Sequence, residues 1–231
     1  MPHYRRGSLA CPKAGHTHRM TAHLLSREPA KVRRDMPDRD VRCVRDLILY
    51  QYAKLIARSA FRCPDGESAK KQHYGFIKKI FRDLQSGRKS WSDILREDKQ
   101  LVEAPKVCVF CGATENLVWE HIVPRSLHIN DRCPACDHLQ GIHNQVWCCA
   151  LCNARKSTKG LYAFFAEFSG DPDGDFFDFI PALLEKKYLK TIHFCHECAG
   201  TLTAGDLDGD GSLTVLDLDE VVRRHVAARG G

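Results

Sequence analysis

Eight of the twelve cysteines in this 231-residue chain fall into four pairs with the spacing Cys-x2-Cys, and this pattern constrains the fold more than any other feature. Two intervening residues let both thiolates turn onto one tetrahedral metal ion, and two such knuckles complete a four-cysteine zinc site. A single pair is equally compatible with a redox dithiol, a disulfide or two buried thiols. Four pairs together favour zinc. The pairs are Cys108 and Cys111, Cys133 and Cys136, Cys149 and Cys152, and Cys195 and Cys198.

The composition excludes several classes of protein. Hydrophobic residues make up 43% of the chain and charged residues 28%, which is typical of a globular protein and not of a disordered or fibrous one. No stretch approaches the roughly 18 apolar residues that a membrane span needs. We expect no secretory, twin-arginine or lipoprotein signal at the N-terminus, because no apolar run follows Arg5, Arg6 and Cys11. We therefore expect a cytoplasmic protein that does not bind membranes.

The net charge of +6 is distributed unevenly along the chain. Residues 1–35 hold eight Lys/Arg and two acidic residues, and they lack apolar periodicity, so we predict a flexible basic arm there. Such an arm either contacts nucleic acid or is a solvated tail, and a translation start at Met20 or Met36 would shorten it. Residues 201–231 are acidic instead, with six acids and three Lys/Arg.

Apolar residues spaced by three and four predict a mainly helical α+β protein, with a helical region over 36–105. Ser68 is a candidate N-cap for the second helix, and Gly87 is a candidate stop signal after it. Short β-prone pieces alternate with cysteines between these helices and the later ones. We predict strands over Val107 to Phe110 and Asn116 to His121, and helices over 38–62, 68–85, 151–157, 161–168 and 181–189, with a short helix from Ser90.

The cysteine-rich segment also contains residues that can carry out metal chemistry. Glu120 and His121 are neighbours at the end of a predicted strand, and Asn153 follows the last cysteine of a knuckle. If the first and third cysteine pairs share one zinc ion, these three side chains come close together. A carboxylate and an amide oxygen suit Mg²⁺, and a neutral histidine suits proton abstraction from water.

The order of these residues resembles the HNH endonuclease family. The pattern C-x2-C, [DE]-H-[IV]-x-P, N-x4-C-x2-C-[HN]-x2-K is present in full from Cys108 to Lys156. The resemblance implies a ββα-metal core framed by zinc knuckles, in a nuclease domain over 106–200, with the N- and C-terminal helices packed around it. Two positions depart from the family's commoner residues: Glu120 stands where Asp is more frequent, and Asn153 stands where the family name has His.

The resemblance also implies a role for each residue of the motif. The catalytic divalent metal, Mg²⁺ or a similar ion, is bound by Glu120 and Asn153, while His121 activates the attacking water. Asn144 orients the histidine loop, and Lys156 or Arg125 contacts phosphate. Structural zinc is held by Cys108, Cys111, Cys149 and Cys152. The implied partner is DNA, in double-stranded form, cut by a monomer or a homodimer in a role such as restriction. The alternative is a zinc protein that binds nucleic acid without cleaving it.

The two remaining cysteine pairs predict a second structural zinc site. Its ligands are Cys133, Cys136, Cys195 and Cys198, which would pin the C-terminal helices to the insertion between His121 and Asn144. One of the nearby histidines can replace a cysteine, and two isolated reduced pairs are a further alternative. These histidines are His138, His193 and His196. Outside the pairs, Cys43 and Cys63 are expected to be small buried hydrophobes, and Cys11 and Cys148 have no assigned role.

The acidic tail contains a candidate calcium loop within the region 201–231. Oxygen donors occupy loop positions 1, 3, 5, 7 and 12, and a glycine occupies position 6. The final Asp and the apolar residues after it resemble one dockerin repeat. We therefore expect weak Ca²⁺ binding or a calcium-dependent partner, against the alternative of an acidic capped helix that binds no ion. The ligands would be Asp206, Asp208, Asp210, Ser212 and Asp217.

Overall fold

The computed structural model describes residues 39–61, 67–91, 106–127, 139–169 and 180–229. Over these residues the fold is mainly helical with one small antiparallel sheet, which confirms the predicted α+β class. None of the described helices is both long and apolar enough to cross a membrane. The elements are α1 Val44–Ala60, α2 Glu67–Gln85, β1 Leu117–His121, β2 Gln145–Cys149, α3 Ala150–Lys156, α4 Leu161–Ser169, α5 Ala182–Ala199 and α6 Glu220–Arg229.

The first two helices pack against each other. α1 is buried on most of its faces, since all residues from Leu47 to Ala53 are buried, whereas α2 buries one apolar stripe. The Tyr50 and Phe81 rings meet edge to face with centroids 5.4 Å apart. The predicted long helix is confirmed, although it begins at Val44 rather than at residue 38. The second helix begins at Glu67, so Ser68 lies inside it and is not its N-cap. Gly87 follows the helix with a φ of +73°, a conformation that glycine adopts without strain.

The two strands form an antiparallel, hairpin-like pair, and successive side chains along each strand point to opposite faces of the sheet. Trp119 lies opposite Trp147, and His121 lies opposite Gln145. Because successive side chains point to opposite faces, these four residues share one face of the sheet, while Glu120 is on the buried face. The predicted strand ending at His121 is thereby confirmed.

The strand predicted over Val107 to Phe110 is wrong, because this segment forms the turn of the first cysteine knuckle. The amide of Gly112 donates to the Cys108 carbonyl at 2.8 Å, and the Cys108 amide donates to the Ala113 carbonyl at 2.7 Å. A tight turn is needed to bring both cysteines of the pair to the same side. The β-prone side chains of Val107 and Val109 do not override that requirement.

The later helices follow their predicted positions, with one difference in length. α3 begins directly after β2, and α4 begins at Leu161 as expected. α5 continues past the predicted end at Leu189 to Ala199, where Gly200 in the left-handed conformation ends it with a φ of +71°. The Cys195 and Cys198 pair therefore lies within a helix and not in a turn.

The segment after α5 packs onto the rest of the protein. The amides of Val44 and Arg45 at the start of α1 donate to the carbonyls of Ala204 and Leu202, each at 2.9 Å. A 3-10 turn over Val215–Asp219 leads into α6 and contacts α4. The division into four domains stays a prediction. The basic arm 1–35, Cys11, Cys63, Cys133, Cys136, His138 and most of the short helix from Ser90 lie outside the described residues.

Candidate metal centre and active site

Four cysteines converge in the cluster formed by Cys108, Cys111, Cys149 and Cys152. Their sulfur atoms all lie within 4.8 Å of one another, and none of the four is in a disulfide. The Sγ atoms of Cys111 and Cys149 are 3.7 Å apart. Tetrahedral zinc with Zn–S bonds of ~2.3 Å requires sulfurs about 3.8 Å apart, so the cluster fits the ion. The cluster can therefore hold a metal ion such as zinc.

The local structure explains how two distant parts of the chain supply these sulfurs. The first pair lies in the turn before β1, and the second lies where β2 passes into α3. Cys149 is the N-cap of α3, and its Sγ accepts a hydrogen bond from the Cys152 amide at 3.5 Å. The cluster thus ties the start of β1 to the junction of β2 and α3.

The thiols of the cluster interact strongly with one another and with Cys148. Hydrogen bonds from the Cys148 and Cys152 thiols lower the pKa of Cys108, while burial raises the pKa of Cys111 to about 12. The hydrogen bond to Cys108 raises the pKa of Cys148 and of Cys152. The cluster therefore already favours a thiolate at Cys108. Sequence reasoning assigned Cys148 no role, although the alternation of side chains along β2 puts it on the same face as the buried Val146.

Glu120 and Lys156 form an ion pair at the face of the sheet covered by α3. The Lys156 Nζ lies 2.9 Å from Glu120 Oε1 and 3.0 Å from the His121 carbonyl oxygen. Lys156 is completely buried, and Glu120 is 8% exposed. With its amine engaged in this way, Lys156 orients the carboxylate and does not face solvent. Lys156 and Arg125 are the two residues expected to contact phosphate, and of these Arg125 is exposed whereas Lys156 is buried.

His121 lies at the last position of β1 with its side chain half buried. Its Nε2 is 3.2 Å from the side-chain nitrogen of Gln145, the residue opposite it in the sheet. Burial lowers the pKa of His121, and the positive charge of Arg125 lowers it further. The ring is therefore neutral near pH 7, as a general base must be. Sequence reasoning missed Gln145, which the pairing of the two strands alone could have revealed.

Asn144 holds the chain directly after His121. Its buried side chain accepts a hydrogen bond from the Val123 amide at 2.8 Å and donates to the Val123 carbonyl at 2.7 Å. The same amide group donates to the Leu139 carbonyl at 3.1 Å. The Ile122 amide adds a bond to the Asn144 carbonyl at 2.8 Å. These bonds leave the chain after the histidine little freedom.

Asn153 reaches the same neighbourhood through the geometry of α3. It precedes Lys156 by three residues, so both side chains lie on one face of the helix. The Lys156 amine contacts Glu120 from that face. The structure thus joins Glu120, His121 and Lys156 by direct contacts. It ties Asn144 to the two residues that follow His121 and places Asn153 one helical turn from Lys156.

The predicted second zinc site is only partly described. Cys195 and Cys198 lie in α5, and their proposed partners are outside the described residues. His196 does not face a metal in this arrangement, because its Nε2 lies 3.0 Å from the Leu218 carbonyl oxygen and its Nδ1 lies 2.8 Å from the Thr201 hydroxyl. Burial lowers the pKa of His196 to about 4. The second site stays a prediction.

The acidic tail folds into a compact loop. Carboxylate oxygens of Asp206, Asp208 and Asp210 lie within 4.8 Å of one another. Asp206 accepts hydrogen bonds from the amides of Gly209 at 2.7 Å and Gly211 at 2.9 Å. The buried Asp217 accepts from the amides of Leu207 at 2.7 Å and Thr214 at 2.6 Å, closing the loop. The Ser212 amide donates to Asp210 at 2.8 Å.

Comparison with known proteins identifies no relative of this chain. No protein-family model, no curated protein and no solved structure matches it. What the site does must therefore be inferred from its residues and their geometry.

Proposed function

We propose that this protein is a metal-dependent endonuclease of the HNH type that hydrolyses phosphodiester bonds in DNA. The observation that carries the proposal is the fixed placement of Glu120 and His121 at one end of a strand pair whose other end carries Cys149 of the four-cysteine cluster. Lys156 holds the carboxylate and Asn144 holds the chain after the histidine. An acid and a neutral base at one strand end are the minimal set for metal-assisted hydrolysis.

The donor atoms fit a hard divalent cation such as Mg²⁺. Lys156 contacts Oε1 of Glu120, so Oε2 is the oxygen that would bind the ion. The amide oxygen of Asn153 would be a second ligand, and water would complete an octahedron. When bound, such an ion polarises the phosphate and stabilises the leaving oxygen.

His121 and Arg125 have complementary roles in this proposal. The neutral imidazole of His121 takes a proton from the attacking water at a ring nitrogen. Arg125 is exposed four residues after the histidine, where its guanidinium can pair with a phosphate. The same guanidinium lowers the pKa of His121 and so keeps the base unprotonated.

The four-cysteine cluster has a structural role in the proposal. Four thiolates fill the tetrahedral positions of zinc and leave none for water or substrate. The zinc ion would therefore hold β1, β2 and α3 in register while Glu120 and His121 perform the chemistry.

The direct test is a plasmid nicking assay with the zinc-loaded protein. We expect relaxed or linear DNA when Mg²⁺ is added and intact supercoiled DNA when it is omitted. If neither this plasmid nor a single-stranded oligonucleotide is cut under either condition, the nuclease proposal is overturned.

The second candidate function is DNA binding without cleavage. It is favoured by the Lys156–Glu120 pair, because a carboxylate already neutralised by a buried amine needs no metal ion. Such a protein would bind DNA with an affinity that falls steeply as salt increases, and it would not nick plasmid with any divalent metal.

We propose a separate Ca²⁺ site in the acidic tail as a subsidiary function. Its support is the placement of three carboxylates around one point, in the order that a calcium loop requires. A calcium-dependent partner and a homodimer are both predictions of the sequence. Calorimetric titration with Ca²⁺, repeated with Asp206→Ala, tests the site.

A further inference from the structure

Two tryptophans form a stack on the solvent-facing side of the sheet. Trp119 and Trp147 are cross-strand partners whose ring centroids lie 4.0 Å apart at an interplanar angle of 26°. The Lys106 Nζ lies 4.8 Å from the centroid of Trp147. Trp119 therefore covers one face of the Trp147 ring, and the ammonium group of Lys106 lies close to the same ring.

Trp119 is the outer member of this stack. One of its ring faces is covered by Trp147, yet 44% of the residue is exposed. An indole that served only to stabilise the sheet would gain more by being buried, since apolar area removed from water stabilises a fold. The exposed part of the Trp119 ring is available for contact with a ligand.

The stack lies beside the proposed catalytic histidine. Trp119 and His121 are two residues apart on the same strand, so both point to the same face, with their Cα atoms separated by about 7 Å. That distance is about two base-pair rises of a DNA strand. A base resting on Trp119 would thus belong to a nucleotide within about two positions of the one whose phosphate reaches His121.

The two chain segments that carry the stack have a net positive charge. The described segments 106–127 and 139–160 contain five Lys/Arg and two acidic residues, and one of those acids is Glu120, which Lys156 neutralises. Lys106, Arg125 and Arg155 are exposed. This charge is complementary to a phosphate backbone and would repel a basic partner.

We propose that Trp119 is a stacking platform for an unpaired base, so that the substrate is single-stranded or locally unpaired nucleic acid. Within a duplex both faces of a base are covered by its neighbours, and no face is left for an indole. This inference rests on the proposed function, because it takes from it that the substrate is nucleic acid cut at His121. It changes the expected substrate from fully double-stranded DNA to DNA with an unpaired nucleotide beside the cut.

The test compares binding of a short fluorescein-labelled single strand with binding of the same sequence in a blunt duplex, by fluorescence anisotropy. All proteins carry His121→Ala to prevent cleavage and are checked for equal zinc content. We expect Trp119→Leu to weaken single-strand binding by about 5- to 150-fold, the effect of losing one stacked base. Trp119→Phe keeps a ring and should lose less.

The remaining measurements separate stacking from general damage. Duplex affinity and the salt dependence of single-strand binding should be unchanged in Trp119→Leu, because no phosphate contact is lost. Tyr74→Leu, which removes an exposed aromatic ring from α2, should leave both affinities unchanged. Unaltered single-strand binding by Trp119→Leu, or equal losses for single strand and duplex, overturns the platform.

Failure of this inference is distinguishable from failure of the nuclease proposal. A protein that binds single strands through Trp119 but never nicks DNA retains the platform and loses the nuclease. A protein that nicks plasmid in Mg²⁺ but binds single strands equally well with Trp119→Leu retains the nuclease and loses the platform.

Discussion

Lys156 is a lysine whose side chain is entirely removed from water, which is a costly position for a charge. The cost is offset because its amine reaches both the Glu120 carboxylate and the His121 carbonyl. The carboxylate in turn has little other solvation. Each charge therefore depends on the other, and the pair fixes the direction of Glu120.

Replacing Lys156 by Met should consequently destabilise the folded protein by about 3 kcal/mol, because it leaves a nearly buried carboxylate without its partner. The matched control is Lys159→Met, since Lys159 forms an exposed ion pair with Glu167. That change should cost less than about 1 kcal/mol. Urea unfolding measures both, and equal unfolding midpoints for the two variants would show that the buried pair does not hold the site.

At the residue scale, the sequence motif selected the candidate site residues but did not predict what their side chains contact. The motif spacing named Glu120, His121, Asn144 and Lys156 without any structure. It did not predict that Lys156 turns to Glu120 and not to solvent, because a long flexible side chain can reach either way. The contact made by Cys148 was missed for a similar reason, since cross-chain neighbours do not appear in local spacing.

The hairpin and α3 are small elements that depend on the cysteine cluster. Each strand has five residues and α3 has seven, whereas isolated two-stranded hairpins and short helices are marginal in water. The cluster joins the turn before β1 to the end of β2. A bound zinc ion would therefore add its binding free energy to the stability of these elements.

Cys111→Ser should accordingly lose the zinc of this cluster and unfold the hairpin, whereas Cys43→Ser should keep the zinc, because Cys43 lies outside the cluster. Metal analysis and circular dichroism of both variants provide the measurement. The wild-type protein should contain about two zinc ions per chain if the second predicted site exists and about one if it does not. Full zinc content in Cys111→Ser would contradict the assignment of this residue as a ligand.

Most element positions followed from the sequence pattern, but the end of one helix and the whole of one predicted strand did not. α5 runs on past Leu189 because residues 190–199 contain no breaker before Gly200. The predicted strand at Val107 to Phe110 failed because closing a cysteine knuckle requires a turn, whatever the local β-propensity. The end of α5 is set by Gly200, which lies outside the predicted range. The knuckle turn is set by the need to bring two cysteines to the same side.

Across the whole molecule, buried polar side chains join the C-terminal segment to the helices. Asp219 accepts hydrogen bonds from the Tyr188 hydroxyl in α5 and from the Ala163 amide in α4, the latter at 2.7 Å. Its carboxylate packs so closely on Gly160 that a Cβ there would lie 2.1 Å from Asp219 Cγ. Burial raises the pKa of Asp219 to about 6. Only glycine fits at position 160.

Asp219→Ala should destabilise the protein by about 1–3 kcal/mol, because it leaves the buried Tyr188 hydroxyl and the Ala163 amide without their acceptor. Asp210→Ala, in the exposed part of the acidic loop, should change stability by no more than about 0.5 kcal/mol without calcium. Thermal unfolding in calcium-free buffer compares the two. If Asp219→Ala unfolds at the same temperature as the wild type, the hydrogen bonds of Asp219 to Tyr188 and Ala163 do not stabilise the folded protein.

The central claim is that His121 is the base of a nuclease, and the most direct measurement is DNA cleavage by His121→Ala under single-turnover conditions with Mg²⁺. The variant should retain the zinc content and thermal stability of the wild type, because its side chain contacts only Gln145 among the hydrogen-bonding groups identified at the site. Removal of a positioned base lowers rates by about 10²–10⁴-fold, and we predict a loss of this size. Cleavage by the folded, zinc-loaded variant at the wild-type rate would contradict the assignment.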